Sequence, residues 1–312
     1  MSHAPTDSTK RKRAESHSSD LAPVQRSKIW MPYGDIILQA ESTQFRLNRD
    51  ILARQSSVFE DMFSIPQPAF EPTIEGCLIV HVSDTAKDWE SFLAVLYHPD
   101  PFRSVASRPY TVVASMLRLG KKYDMCSPKE DSLRRIYGEF PAFFELPDSS
   151  DKGWTMIDYE DNIYAQMLNL ACECGLNSAI PRLGLACLQN LPRRWSGTLV
   201  TLAFALERIL EFQRERLDWL HGNAIIPHKS CKSPTACVKE QKAISYAIAC
   251  REEYPFHVGY TISEWDEEWD DRFCAACEAA AMESYDASQQ KGWELLPTFF
   301  GLPPWEDLKD AV

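Results

Sequence analysis

The sequence predicts an α+β protein: a small sheet with surrounding helices on the N-terminal side, then an all-helical C-terminal part. Three observations carry this expectation. Residues 36–47 alternate in the period of two that a strand requires, with a turn at Ser42 folding them into a hairpin. From Ile51 and Leu52 onward the apolar spacing becomes helical, through Phe59, Met62 and Phe63. Beyond residue 153 the spacing is helical throughout, with no repeat of solenoid period.

Taken in order, residues 1–27 are rich in Ser, Thr, Pro and charge, and are expected to be a disordered tail. The tail holds Lys10, Arg11, Lys12 and Arg13, four adjacent cations that read either as a nuclear-import signal or as a solvated charge run. In the first strand Ile36, Leu38 and Ala40 alternate with Ile37, Gln39 and Glu41, and Phe45 and Leu47 mark the return strand. Cys77–Val82 is a third apolar strand. Helices are expected near residues 89–97, 115–123 and 131–137, with Ser127, Pro128 and Glu130 arranged as a capping box that opens the last of them. Residues 147–153 read as a loop.

Five helical segments then follow. The first carries Tyr164, Met167, Leu168 and Ala171, with Gly175 closing it after Cys174. The second carries Leu183, Leu185, Leu188 and Leu191. The third carries Leu206, Ile209, Leu210, Leu217 and Leu220 and stops near His221 and Gly222. Ser233 and Pro234 open the fourth, residues 266–291 form the fifth, and residues 295–305 read as an aromatic, Pro-rich tail. The expected organisation is a tail over 1–27, an α+β domain over 28–146 and a helical domain over 154–312.

The order strand, strand, helix resembles a BTB/POZ domain. The anchors are Asp50-Ile51-Leu52-Ala53, then Ser56, Phe59, Met62 and Phe63, then Cys77–Val82, then Trp89 through Tyr97. The wording around Arg54-Gln55-Ser56-Ser57-Val58-Phe59, followed by Pro66-Gln67-Pro68, is similar to BTB proteins expanded in mushroom-forming (basidiomycete) fungi. The resemblance implies a protein-interaction platform without chemistry of its own: self-association, recruitment of a co-regulator, or adaptor work for a cullin-type ubiquitin ligase. It also implies a charged pocket at the dimer seam, for which Asp35 and Arg49 stand at the matching positions. The chain departs from the pattern in three places. Asn48 stands where the family often has His. Pro32 rules out a helix interior over residues 28–33, where a long dimerisation helix would lie. Residues 64–71 lack the apolar-x-acidic motif of cullin adaptors.

Bulk properties narrow the classes. At 312 residues and 45% hydrophobic, the chain can build a sizeable core in one or two domains. No apolar run approaches the ~20 residues of a membrane helix, and the polar N-terminus is unlike a signal peptide, so an intracellular protein of nucleus or cytoplasm is expected. The net charge is −12, with thirteen acidic residues against three basic ones over residues 264–312. Such a balance disfavours a phosphate backbone as partner. Other proteins, a second copy of the chain included, are the expected partners.

Ten cysteines in an intracellular chain are thiols or metal ligands rather than disulfides. Cys231 and Cys237 have C-x5-C spacing, and Cys274 and Cys277 have C-x2-C spacing within the expected last helix. Four thiolates converging tetrahedrally would hold one structural zinc (Zn) ion, with His228 as a substitute for Cys231. The alternative is that these small apolar side chains simply pack. Cys77, Cys126, Cys187 and Cys250 read as core residues.

Nothing in the sequence resembles a catalytic constellation. G-x-S-x-G, P-loop, G-x-G-x-x-G and H-E-x-x-H patterns are all missing, and the seven His residues form no motif with a nucleophile. The chain is therefore expected not to be an enzyme. Two function classes remain: a non-enzymatic protein–protein interaction module, or a zinc-stabilised nuclear transcription regulator contacting DNA through its C-terminal half.

Overall fold

A computed structural model describes residues 23–66, 72–97, 106–141, 154–190, 200–216, 225–250, 262–263 and 265–312. A five-stranded sheet opens the described chain: β1 (Gln25–Trp30), β2 (Ile36–Ala40), β3 (Thr43–Leu47), β4 (Thr73–Ile74) and β5 (Cys77–Val82), in the order β1-β3-β2-β5-β4. The expected hairpin forms, Ile36 opposite Leu47 and Ala40 opposite Thr43, with the corner at Glu41 (φ 50°) and Ser42. β5 then runs parallel to β2, Ile36 beside Leu78 and Ala40 beside Val82.

β2 is an inner strand of the sheet and is buried on both faces, Ile37 being as inaccessible as Leu38. The alternation expected for β2 therefore does not translate into one wet face. β1 corrects the expected boundary of the disordered tail. Its residues Gln25 and Arg26 pair with Thr43 and Gln44 at the sheet edge, and only Ile29 is buried. β4 is equally exposed, and joins β5 through Glu75 and Gly76, both at positive φ.

Two short helices, α1 (Arg49–Gln55) and α2 (Ser57–Ser64), meet at Ser56. Its hydroxyl accepts from the Phe59 N–H at 3.1 Å, capping α2, and donates to the Tyr123 carbonyl. That one side chain fixes the corner to the next layer, α3 (Ala86–Tyr97) and α4 (Tyr110–Lys122). At the start of α3, Thr85 and Asp88 cap each other: the Thr85 Oγ1 accepts from the Asp88 N–H at 3.0 Å and its hydroxyl donates to the Asp88 carboxylate at 2.9 Å. The first core gathers Phe45, Phe59, Trp89, Phe92 and Tyr123 between sheet and helices. Phe59 stacks on Tyr123 at 4.9 Å and meets Trp89 edge-on at 6.0 Å.

The helical part continues with α5 (Cys126–Glu139), α6 (Ile163–Cys174), α7 (Ile180–Gln189), α8 (Val200–Arg216), α9 (Pro234–Cys250) and α10 (Ala275–Phe299). α4 is a wall shared by two cores: Met116 and Leu119 face the first, while Val113, Ala114 and Leu117 pack with Ile136, Met167, Leu170 and Leu183 in a second. A third core joins α7, α8 and α10 through Leu185, Ile209, Phe212, Leu296 and Phe299. Gly184 lets α7 approach this layer, because a Cβ there would strike the Phe300 ring. The final residues lie along the α6–α7 corner. Ala311 donates its N–H to the Gly175 carbonyl at 2.9 Å, and Asp310 accepts from the Ser178 N–H at 2.9 Å and from Tyr137.

Several helix ends differ from expectation. α5 begins at Cys126 with no side-chain cap, so Ser127 and Glu130 lie inside its first turns instead of forming a capping box. Asp124 (φ 49°) turns the chain before Met125, and the Lys129 N–H bonds to the Met125 carbonyl. Gly175 closes α6 in the left-handed conformation (φ 70°), as expected. The last helix does not begin at Asp266. A short 3-10 turn at Glu267–Trp269 and a positive φ at Asp271 (59°) break it, and α10 starts at Ala275. It then runs into the expected tail to Phe299 with Pro297 in its last turn, and the Trp293 carbonyl that Pro297 cannot serve accepts from the Trp305 indole at 2.7 Å. Leu191, Leu217, Leu220, His221 and Gly222, and the loop at 147–153, lie outside the described residues.

Asp131 organises the loop ahead of α4. Arg108 lies 3.4 Å away, Arg135 donates to Asp131 at 2.9 Å, and Arg134 also pairs with it. Arg135 is 1% exposed and donates to the Ala106 and Met156 carbonyls at 2.8 and 2.9 Å. Burial opposes the Asp131 charge, but the guanidinium groups outweigh it and hold the carboxyl below its ordinary 3.8.

Two stability measurements check this architecture. Phe59→Ala is expected to cost about 3–5 kcal/mol in urea unfolding; a loss within error contradicts the packing of α2. Asp131→Asn is expected to cost about 2–4 kcal/mol at neutral pH, because the buried Arg135 loses a carboxylate that balances its charge. Since the folded pKa is depressed, this contribution is full above the unfolded value and is lost as pH falls through the folded one. The gap between native protein and variant should therefore close as unfolding is repeated below about pH 4.

Candidate functional site

The structure brings together the four cysteines picked out by spacing. The sulfurs of Cys231, Cys237, Cys274 and Cys277 all lie within 4.8 Å of one another. Cys231 is 3.7 Å from Cys237 and 3.6 Å from Cys274. Four sulfurs at about 2.3 Å from a tetrahedral ion sit about 3.8 Å apart, so the spacing matches the edges of such a tetrahedron. His228 is not among the ligating group; its Nδ1 accepts from the Ser230 N–H at 3.2 Å and thereby shapes the loop.

Local structure explains the convergence. His228 O accepts from the Cys231 N–H at 2.9 Å, a turn that aims Cys231 inward. Ser233 O accepts from the Cys237 N–H at 3.0 Å, placing Cys237 in the first turn of α9. Cys274 is the N-cap of α10 and Cys277 lies in its first turn, not mid-helix as the sequence suggested. Two helix N-termini thus point at the sulfurs, and their dipoles favour thiolate. Backbone donors add to this: the His228 N–H reaches Cys277 Sγ at 3.3 Å, and the Cys274 N–H reaches Cys237 Sγ at 3.4 Å.

Charge is distributed unevenly among the four. The Cys277 N–H foremost, with further N–H and thiol donors, pulls Cys274 down to about 6. Burial pushes Cys277 up to about 12 and raises Cys237 as well. A cation is the group that lets four adjacent sulfurs ionise together. The donor set and spacing are compatible with a structural metal. Ile226, Ile244, Phe273, Trp269 and Tyr285 wall the site. Trp265, Trp269 and Tyr285 meet edge to face at 5.0–5.7 Å, and Tyr285 bonds to Ser263 at 2.8 Å.

The other cysteines separate as their spacing implies. Cys174 is buried while Cys172, two residues away, is exposed. Cys77 and Cys187 are buried as expected, but Cys126 is exposed at the start of α5, so it is not a core residue.

Asp35 and Arg49 are adjacent. The Asp35 carboxylate accepts from the Arg49 N–H at 2.7 Å and lies 3.6 Å from its Nε. Asp35 thereby caps α1 at the positive end of its dipole. Arg49 also lies 5.5 Å from the Phe63 ring and borders a cleft of about 190 Å³ lined by Ile36, Met62, Phe63, Leu78 and Val80. Sequence reasoning named the charged pair but missed this apolar cleft, which forms only once α2 folds against β5. Lys10, Arg11, Lys12 and Arg13 lie outside the described residues.

A larger cleft, about 690 Å³, separates the start of α3 from α4 and the end of α6. Its Arg118 is held by Glu173 at 2.9 Å, Lys122 by Asp84 at 2.7 Å, and Lys121 by the Cys174 carbonyl at 2.7 Å. These groups join the helices to one another. No described helix is long and apolar enough to cross a membrane.

In comparison with known proteins, residues 27–132, about a third of the chain, match the family model of the BTB/POZ domain. No curated protein matches the chain.

Proposed function

Residues 27–132 form a BTB/POZ domain, a protein-interaction fold, and from this premise we propose that the chain is a non-enzymatic interaction module of the adaptor or co-regulator type. The observation that supports the reading most directly is the cleft beside Arg49. It combines apolar walls (Ile36, Met62, Phe63, Val80) with a charged rim (Asp35, Arg49), the composition of a protein-binding hot spot. The helical part lacks a cleft with convergent nucleophile, base and oxyanion donors among its described residues. Lys10, Arg11, Lys12 and Arg13 support action in the nucleus. The competing reading, a regulator contacting DNA through the C-terminal half, draws on the lysines of that half and is opposed by its acidic flank.

Within the same proposal, the four cysteines hold one structural zinc that ties the 225–233 loop to the starts of α9 and α10. Two measurements follow. Native mass spectrometry of the intact chain is expected to find about one zinc per molecule, and Cys277→Ser to lose it together with the melting transition of the C-terminal helices. A metal-free protein with all its helices folded ends the zinc reading.

Affinity purification of the intact protein, paired with Arg49→Glu, tests the interaction reading. The variant is expected to lose the principal partner, or self-association in light scattering, while its stability changes by about 1 kcal/mol or less. Identical recovery from both proteins removes the cleft from the proposal.

A further inference from the structure

We propose that the outward face of α9 is a docking surface for an acidic segment of a partner polypeptide. Thr235, Lys239, Lys242 and Tyr246 recur at the four-, three- and four-residue steps that place side chains in one stripe along a helix. All four are exposed, Tyr246 at 72%. Cys237, Gln241 and Ile244 occupy the opposite face and are buried. The stripe borders an open groove of about 570 Å³ lined by Pro234, Thr235, Val238, Lys239 and Lys242.

The charge of this face is unspent. Among the described residues, Lys239 and Lys242 make no ion pair, nor do Lys229 and Lys232 in the loop leading into α9. By contrast Arg26, Arg46, Arg118, Lys122 and Arg272 each lie 3.0 Å or less from a carboxylate. On the flank of the same helix Glu240 is already taken by Arg272 at 2.6 Å. A chain of net charge −12 therefore keeps Lys239 and Lys242 uncompensated on one helix face, with Lys229 and Lys232 exposed in the loop ahead of it. The positive end of the α9 dipole adds to them.

The occupant follows from the mixture of groups. Pro234, Val238 and the Tyr246 ring offer apolar contact between the ammonium groups, which suits a peptide alternating carboxylates with apolar side chains. A nucleic acid needs a longer basic track. Here, among the described residues, only Lys229, Lys232, Lys239 and Lys242 are available, and the segment that Arg272 joins to the flank of α9 is acidic. Because the face lies opposite Cys237, the inference does not depend on the metal.

The test uses the full chain and a fluorescein-labelled peptide of Glu alternating with Leu and Phe, its Glu→Gln counterpart, and a labelled DNA duplex, each read by anisotropy at low and physiological salt. The acidic peptide is expected to bind at least about tenfold more tightly than the Gln peptide, and Lys239→Glu with Lys242→Glu to weaken it by about tenfold or more. Lys239→Ala with Lys242→Ala should give a smaller loss in the same direction. Unchanged circular-dichroism melting and metal content assign the loss to the surface. Equal binding of both peptides, binding of neither, or insensitivity to charge reversal overturns the proposal. Tighter binding of the duplex than of the acidic peptide overturns its choice of occupant.

Discussion

The architecture depends on one helix being buried on two sides. In α4, Val113, Ala114, Ser115, Met116, Leu117, Leu119 and Gly120 are all inaccessible. Met116 and Leu119 complete the core under the sheet, while Val113, Ala114 and Leu117 begin the core of the following helices. Each such side chain removed from water contributes about 1.5–3 kcal/mol, so neither core is complete without this helix. Gly120 has a distinct part in it: a Cβ there would lie 3.0 Å from the Lys129 backbone N, so glycine sets the spacing between α4 and α5. Ser115, the one polar buried residue on the helix, donates to the Thr111 carbonyl at 2.6 Å or the Asp88 carboxylate at 2.9 Å and leaves no orphaned group.

The same continuity explains what the sequence conveyed and what it withheld. Strands β2, β3 and β5 were legible because apolar residues repeat with strand period and a turn residue sits between two of them. β1 was not, since Gln25, Arg26, Ser27 and Lys28 are polar and the strand lies at an edge, where pairing alone holds it. β4 was a two-residue strand whose only signal was the Glu75-Gly76 turn. Helix existence was readable, and helix starts were not. The chain enters α5 through a left-handed Asp124, and enters α10 only after a left-handed Asp271. Neither residue type announces that conformation by itself.

The cysteine cluster illustrates the same distinction at the level of a site. Spacing identified the four residues, and convergence required the third dimension. Reading Cys274 as mid-helix missed why the arrangement is favourable. As N-cap and first-turn residues, Cys274, Cys277 and Cys237 face two dipole ends and a set of unused N–H groups. A helix interior has no free N–H to offer, because each is already bonded to the carbonyl four residues earlier. The break at Asp271 that spoiled the helix prediction is therefore what creates the thiolate environment.

Charge in this region is sorted, not averaged. The acidic run 266–271 sits ahead of α10, with Asp271 donating its N–H to Glu278 at 3.0 Å and Asp270 accepting from the Trp265 indole at 2.9 Å. Arg272 crosses to Glu240 on α9 and fastens the two helices. Such a pair at the surface contributes little energy, but it fixes which sides of α9 are inward and which are outward. Cys237 lies on the inward side and the lysines on the outward side, so one helix of 17 residues carries both a member of the cysteine cluster and a face open to solvent. Sequence separation of three or four residues is all that divides the two roles, and helical geometry alone makes that division sharp.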